Sequence, residues 1–126
     1  MEDIETSAKS LLYFALNDVT FKDFVVNNVK CIGYDTSFLI YETDEVEIPK
    51  KLNFYNAKIQ NSNSNGPLIK LSGDKIDLTL NGSSFYKVSS FGSIIKNTSL
   101  KVFILFICKI LKKYIYKYYI LKYWNL

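Results

Sequence analysis

"PLIKLSGDKIDLTLNG", residues 67–82, carries the strongest periodic signal in the chain. Ile76, Leu78 and Leu80 alternate with Lys75, Asp77 and Thr79, a period of two that buries one face of a strand and wets the other. "LIKLS" lies just upstream, and Ser72-Gly73-Asp74 between the two runs has turn chemistry. Two alternating runs across so short a connection predict an antiparallel hairpin.

The flanking segments extend that reading. Downstream, Asn81-Gly82 supplies a further turn, and "SSFYKVSSFGSIIKN" (83–97) reads as a strand with Gly92 at a bend or bulge. Upstream, "NSNSNG" (61–66) followed by Pro67 predicts a loop. "FVVNNVKCIGY" (24–34), "SFLIYETDEVEI" (37–48) and "KKLNFYNAKIQ" (50–60) read as further strand material. At the start, "IETSAKSLLYFALN" (4–17) spaces Ile4, Ala8, Leu11, Leu12 and Ala15 as one helical stripe, with acids in the first turn and Asn17-Asp18 as a stop. The predicted class is α+β, mainly β. A helix over about 4–17 precedes strands over about 21–97, arranged as an antiparallel sheet or small OB-like barrel. This single domain of residues 1–100 is followed by a distinct segment, 101–126.

A chain of 126 residues suits one domain, and 48% hydrophobic with 22% charged residues excludes wholesale disorder. All sixteen basic residues are Lys, a bias that accompanies AT-rich coding sequence. The segment 101–126 holds six Lys and no acid, which leaves ten Lys against all twelve acids before it. Residues 1–100 therefore lack the charge of an extended cationic nucleic-acid groove. Cys31 and Cys108 lack metal-ligand spacing, and no His joins them; they read as reduced thiols of an intracellular protein, nuclear or cytoplasmic. The acidic opening "MEDIE" is not a signal peptide, so the sequons at Asn81 and Asn97 read as chance matches. Glu42, Asp44, Glu45 and Glu47 cluster without the spacing of a calcium loop and read as a charged strand edge. With neither His nor Arg, histidine-based nucleophile pairs and guanidinium clamps are excluded. No catalytic residue, metal site or cofactor is predicted, and the chain reads as a non-enzyme.

Binding is the better-supported class. Phe54, Tyr55, Phe85, Tyr86 and Phe91 interleave with Lys51, Lys58, Lys70 and Lys87, the combination that stacks unpaired bases and tracks their phosphates. Aromatic residues that alternate along strands also build cores, and that reading stands beside the first. The run from "LNFYNAKIQ" through "NSNSNG" and "PLIKLSGDKIDLTL" to "SSFYKVSSFGSIIKN", residues 52–97, resembles a small OB-fold. It is most similar to the replication protein A small subunit and the Ten1-like telomeric proteins. The resemblance implies an accessory subunit of a single-stranded DNA-binding complex, with a C-terminal helix against protein partners; the aromatic and lysine pattern itself suits single-stranded DNA or RNA.

The closing segment, "KVFILFICKILKKYIYKYYILKYWNL", has an apolar run too short to span a bilayer. Drawn as a helix, it gathers Lys101, Lys109, Lys112, Lys113 and Lys117 within an arc of about 160°. Such a helix would dock into a partner protein or lie on an anionic membrane surface with Trp124 at the interface. Its common residues are all encodable by A and T alone, so a translated intron or shifted frame is a third reading. The functional expectation is a non-enzymatic binding or assembly subunit of a single-stranded nucleic-acid complex. The alternatives are a peripheral membrane protein held by the tail, and a protein whose tail comes from intron read-through or a shifted frame.

Overall fold

Ser72-Gly73-Asp74 turns the chain from one sheet into another, and the two runs it joins never pair with each other. The structure is a computed structural model that describes residues 1–99 and the backbone of residues 101–111 and 121–122. Its strands are β1 (Glu2–Thr6), β2 (Ser10–Ala15), β3 (Val19–Lys22), β4 (Val25–Cys31), β5 (Ser37–Glu42) and β6 (Lys50–Tyr55). They continue as β7 (Lys58–Ser64), β8 (Ile69–Ser72), β9 (Lys75–Ser90), β10 (Ile95–Asn97), β11 (Lys101–Leu111) and β12 (Leu121–Lys122). One sheet runs β1-β4-β7-β9-β6-β3 with β11 added on β9, and the other runs β12-β10-β8-β5-β2. Every pairing among the described residues is parallel. The chain winds as a parallel β-solenoid in which each turn lays its strands on those of the turn before.

Register gives the length of a turn. Lys58 lies opposite Ser84, Ile69 opposite Ile95 and Lys75 opposite Lys101, a sequence separation of 26 that the hydrogen-bonded pair Ala57 and Ser83 shares and that drops to 25 at a register shift between Ile107 and Cys108. Val19 lies opposite Leu52 and Thr20 opposite Asn53, a separation of 33, because the Thr43–Pro49 excursion lengthens that turn. Stacking in register builds the core as columns. Leu12, Leu39, Ile69 and Ile95 form one column; Val19, Leu52 and Leu78 form a second; Val26, Ile59 and Phe85 form a third. Phe21 and Phe54 stack with centroids 5.0 Å apart and planes 14° from parallel, close to the strand spacing of about 4.8 Å. Burying each such side chain contributes roughly 1.5–3 kcal/mol.

The expected α+β class and the OB-like antiparallel barrel are therefore overturned by parallel strands throughout. Alternation records that one face is buried, and a solenoid strand meets that condition as well as a hairpin strand does. At the corner, Gly73 has φ of +110°, and a Cβ there would overlap the Thr43 carbonyl oxygen of the preceding turn. Gly92 (φ +87°) is a corner too, so the strand expected over 83–97 is split between β9 and β10.

The helix expected over 4–17 is replaced by β1 and β2. Ile4 stacks opposite Val29, and Leu12 and Phe14 opposite Leu39 and Tyr41, which buries more apolar surface than an isolated stripe would. "NSNSNG", expected as a loop, is mostly strand β7, because Ser62 and Ser64 point inward while Asn61 and Asn63 face water. The acid cluster sits on the Thr43–Pro49 excursion apart from Glu42, which ends β5. The helix expected over 101–126 is contradicted at residues 101–111, where β11 pairs with β9 along its whole length. Lys101 and Lys109 are thus strand residues and do not share a helical arc. Lys112, Lys113, Lys117 and Trp124 lie outside the described residues.

Candidate binding face

Three strands of the β1-β4-β7-β9 sheet share a local pattern that simple alternation does not produce. Buried Val26, Ile59 and Phe85 are each followed by two outward residues before the chain points inward again: Asn27-Asn28, Gln60-Asn61 and Tyr86-Lys87. The second of each pair is left-handed, with φ of +53° at Asn28, +50° at Asn61 and +49° at Lys87. Asp3 (φ +53°) occupies the same level of β1. A kink therefore recurs in register across four turns.

Asn and Asp suit this conformation because a short polar side chain bonds locally there. Asn28 Nδ2 donates to Asp3 Oδ1 at 2.7 Å, and Asn61 Nδ2 donates to Asn27 Oδ1 at 2.8 Å. Inside, the Val29 N–H donates to Ser62 Oγ at 3.0 Å, and the Ser62 hydroxyl donates to the Gln60 carbonyl at 2.8 Å. Among the described residues Lys87 makes no such side-chain hydrogen bond, and a β-carbon in this region costs about 1–2 kcal/mol. Its Nζ lies 5.3 Å from the Tyr86 ring centroid. Backbone strain retained at an outward lysine is a pointer to use.

The residues singled out from sequence separate into two groups. Phe54 and Phe85 are buried core residues. Tyr55 lies on the outside of the β3-β6-β9 portion, in register with Lys22. Lys70 lies on the other sheet, where its Nζ is 3.7 Å from Asp35 Oδ2. Lys58, Tyr86 and Lys87 do come together on the kinked face: Lys58 pairs with Ser84, and Gln60 with Tyr86, across β7 and β9. Register places Lys109 of β11 opposite Ser84 on the same sheet.

Phe91 follows at the corner beside this face and is 80% exposed. Its N–H donates to the Ser64 carbonyl at 3.2 Å, and the Asn65 N–H to the Cys31 carbonyl at 2.9 Å, so the ladder continues into the corner and aligns Ile32, Asn65 and Phe91. Tyr34, in the same corner, is 100% exposed. The sequence reading missed Lys30, Gln60, Asn63 and Tyr34. For Lys30, Gln60 and Asn63 the signal is the repeat "VNNVKC" (26–31), "IQNSNS" (59–64) and "FYKVSS" (85–90); Tyr34 lies outside it. None of Lys30, Lys58 and Lys87 has a carboxylate within ion-pair distance among the described residues. The face thus offers three cationic side chains, a run of amides, one ring on the sheet and two at its margin.

A separate cleft of about 310 Å³ lies where β2 and β5 end, lined by Tyr13, Ala15, Leu16, Glu42, Thr43 and Asp44 with Ser72. Tyr13 Oη donates to Glu42 Oε2 at 2.7 Å, and that bond raises the phenol pKa. None of the residues singled out for binding lines it. Comparison with protein-family models, with curated proteins and with solved structures returns no match, so the functional reading rests on this geometry.

Proposed function

We propose that the chain is a non-enzymatic binding module that takes a single-stranded nucleic acid across the outer face of β4, β7 and β9. The supporting observation is that Lys30, Lys58 and Lys87 stand on one outward face on successive turns, with solvent-exposed Phe91 and Tyr34 at the corner where that face ends. Lysines on neighbouring turns supply phosphate contacts. The rings at the corner, which the core does not use, supply stacking surfaces for unpaired bases. The amides of Gln60, Asn61 and Asn63 between them accept and donate to base edges or sugar hydroxyls. A duplex is a poorer fit, because the face has neither a helix nor a protruding ribbon to enter a groove.

The test is fluorescence anisotropy with a labelled single strand, titrated at several salt concentrations. Three phosphate contacts predict a slope of log affinity against log salt of about −2. Replacing Lys30, Lys58 and Lys87 together with Ala should abolish that slope. Phe91→Ala should weaken binding by about 1–3 kcal/mol while leaving the slope unchanged. Binding that the triple variant retains in full would place the nucleic-acid contact elsewhere and refute the proposal.

A further inference from the structure

Charge is sorted along the solenoid axis. The first turn, residues 1–24, carries five acids against Lys9 and Lys22. The second turn, 25–57, carries five acids against three lysines. The third, 58–83, holds Asp74 and Asp77 with three lysines, and beyond Asp77 the chain has no acid at all. Residues 84–111 contribute Lys87, Lys96, Lys101 and Lys109. One end of the stack is therefore acidic and the other basic, with the change of sign in the third turn.

The acidic end is also an open one. Among the described residues β1 pairs only with β4, β2 only with β5 and β3 only with β6. Each has one backbone edge without a strand partner, and the first of them carries Glu2, Asp3 and Glu5. At the basic end β11 pairs only with β9 among the described residues. Strands of a parallel solenoid run in the same direction in every turn, so the edge presented by the last turn has the polarity that the first turn of another copy needs. Two acidic ends repel each other, as do two basic ends. Only the head-to-tail arrangement brings opposite charges together, and it is the arrangement in which parallel pairing continues.

We infer that the acidic first-turn edge, β1 above all, is a docking surface for the basic last turn of a second copy of this chain. The contact is heterologous, so it does not close on itself and adds copies along the axis. It is independent of the nucleic-acid face, which lies on the side of the stack.

Sedimentation velocity of the full chain across a concentration series should show a reversible monomer–oligomer equilibrium in low salt that shifts to monomer in high salt. Glu2→Lys with Glu5→Lys should leave the chain monomeric in low salt, and so should Lys109→Glu, at the last-turn lysine that register places in the column of β1, β4 and β7. Mixing the two variants should restore assembly, because the reversed head meets the reversed tail. That recovery also shows that both variants fold. A wild-type chain that stays monomeric in low salt, oligomers indifferent to either charge reversal, or a mixture that stays monomeric would each overturn the inference.

Discussion

Ser62→Ala removes one oxygen from a position that the composition of "NSNSNG" assigns to a solvent loop. In the solenoid, Ser62 is 4% exposed and sits beneath the kink between β4 and β7. Its Oγ accepts the Val29 N–H at 3.0 Å and its hydroxyl donates to the Gln60 carbonyl at 2.8 Å. Alanine leaves the Val29 N–H buried with no acceptor, which costs about 1–3 kcal/mol. The Gln60 carbonyl loses one of its bonds as well. Taking about 2 kcal/mol, a domain of this size should lose about 8 °C in Tm. Asn63→Ala is the matched control: the residue is exposed, one position on, and its replacement should change stability by no more than about 0.5 kcal/mol. Urea denaturation monitored by circular dichroism measures both variants against the parent. Equal midpoints for Ser62→Ala and Asn63→Ala would mean that the hydroxyl faces water, and the inward kink would be refuted.

Gly73→Ala should destabilise by about 3 kcal/mol or more, since its φ is +110° and its Cβ would overlap the Thr43 backbone; thermal melting checks this. Phe54→Ala should cost about 3–5 kcal/mol, whereas Phe91→Ala should be nearly neutral in stability and lower only the affinity for a labelled single strand. Burial pushes the Cys31 thiol up to about 11 from 9.0, and burial with the nearby Asp18 charge pushes Tyr41 up to about 12 from 10.0. In both cases the unfolded chain loses its proton first. Stability from these groups is intact below about pH 9 and is lost as pH rises through the windows 9–11 and 10–12, which a series of melts at increasing pH should show. For the same reason Cys31 should resist iodoacetamide at pH 8 until the chain is denatured.

Much of the local structure was legible in the sequence, and the orientation of its pairing was not. Ile76, Leu78 and Leu80 do line a buried face, and Gly73 and Gly92 do mark changes of direction. What alternation lacks is any record of the neighbouring strand. Leu78 meets Leu52 from the preceding turn, where a hairpin would have brought a residue from just across the Gly73 turn. The repeat that reveals this, "VNNVKC", "IQNSNS" and "FYKVSS", is hidden by unequal spacing, because the Thr43–Pro49 excursion makes one turn longer than the next. Its inward positions also mix Val with Ser62 and Ser64, so hydrophobicity alone does not trace the column. At the candidate face, Phe85 and Tyr86 had to point in opposite directions as strand neighbours, and composition could not say which was inside. The cost of burying a phenol without a partner fits the outcome, with Phe85 in the core and Tyr86 outside.

The parallel stacking of turns is tested most directly by paired cysteines on β3, β6 and β9. Thr20 and Asn53 are in register, with Asn53 Nδ2 donating to Thr20 Oγ1 at 3.3 Å, and Asn53 is in register with Thr79. Adjacent strands separate Cα atoms by about 4.8 Å, within the range a disulfide spans, and two strand steps exceed it. Mild oxidation followed by peptide mass spectrometry should find a bridge in Thr20→Cys with Asn53→Cys and in Asn53→Cys with Thr79→Cys. It should find none in Thr20→Cys with Thr79→Cys. Failure of both adjacent pairs, or an equally ready bridge between residues 20 and 79, would contradict the solenoid.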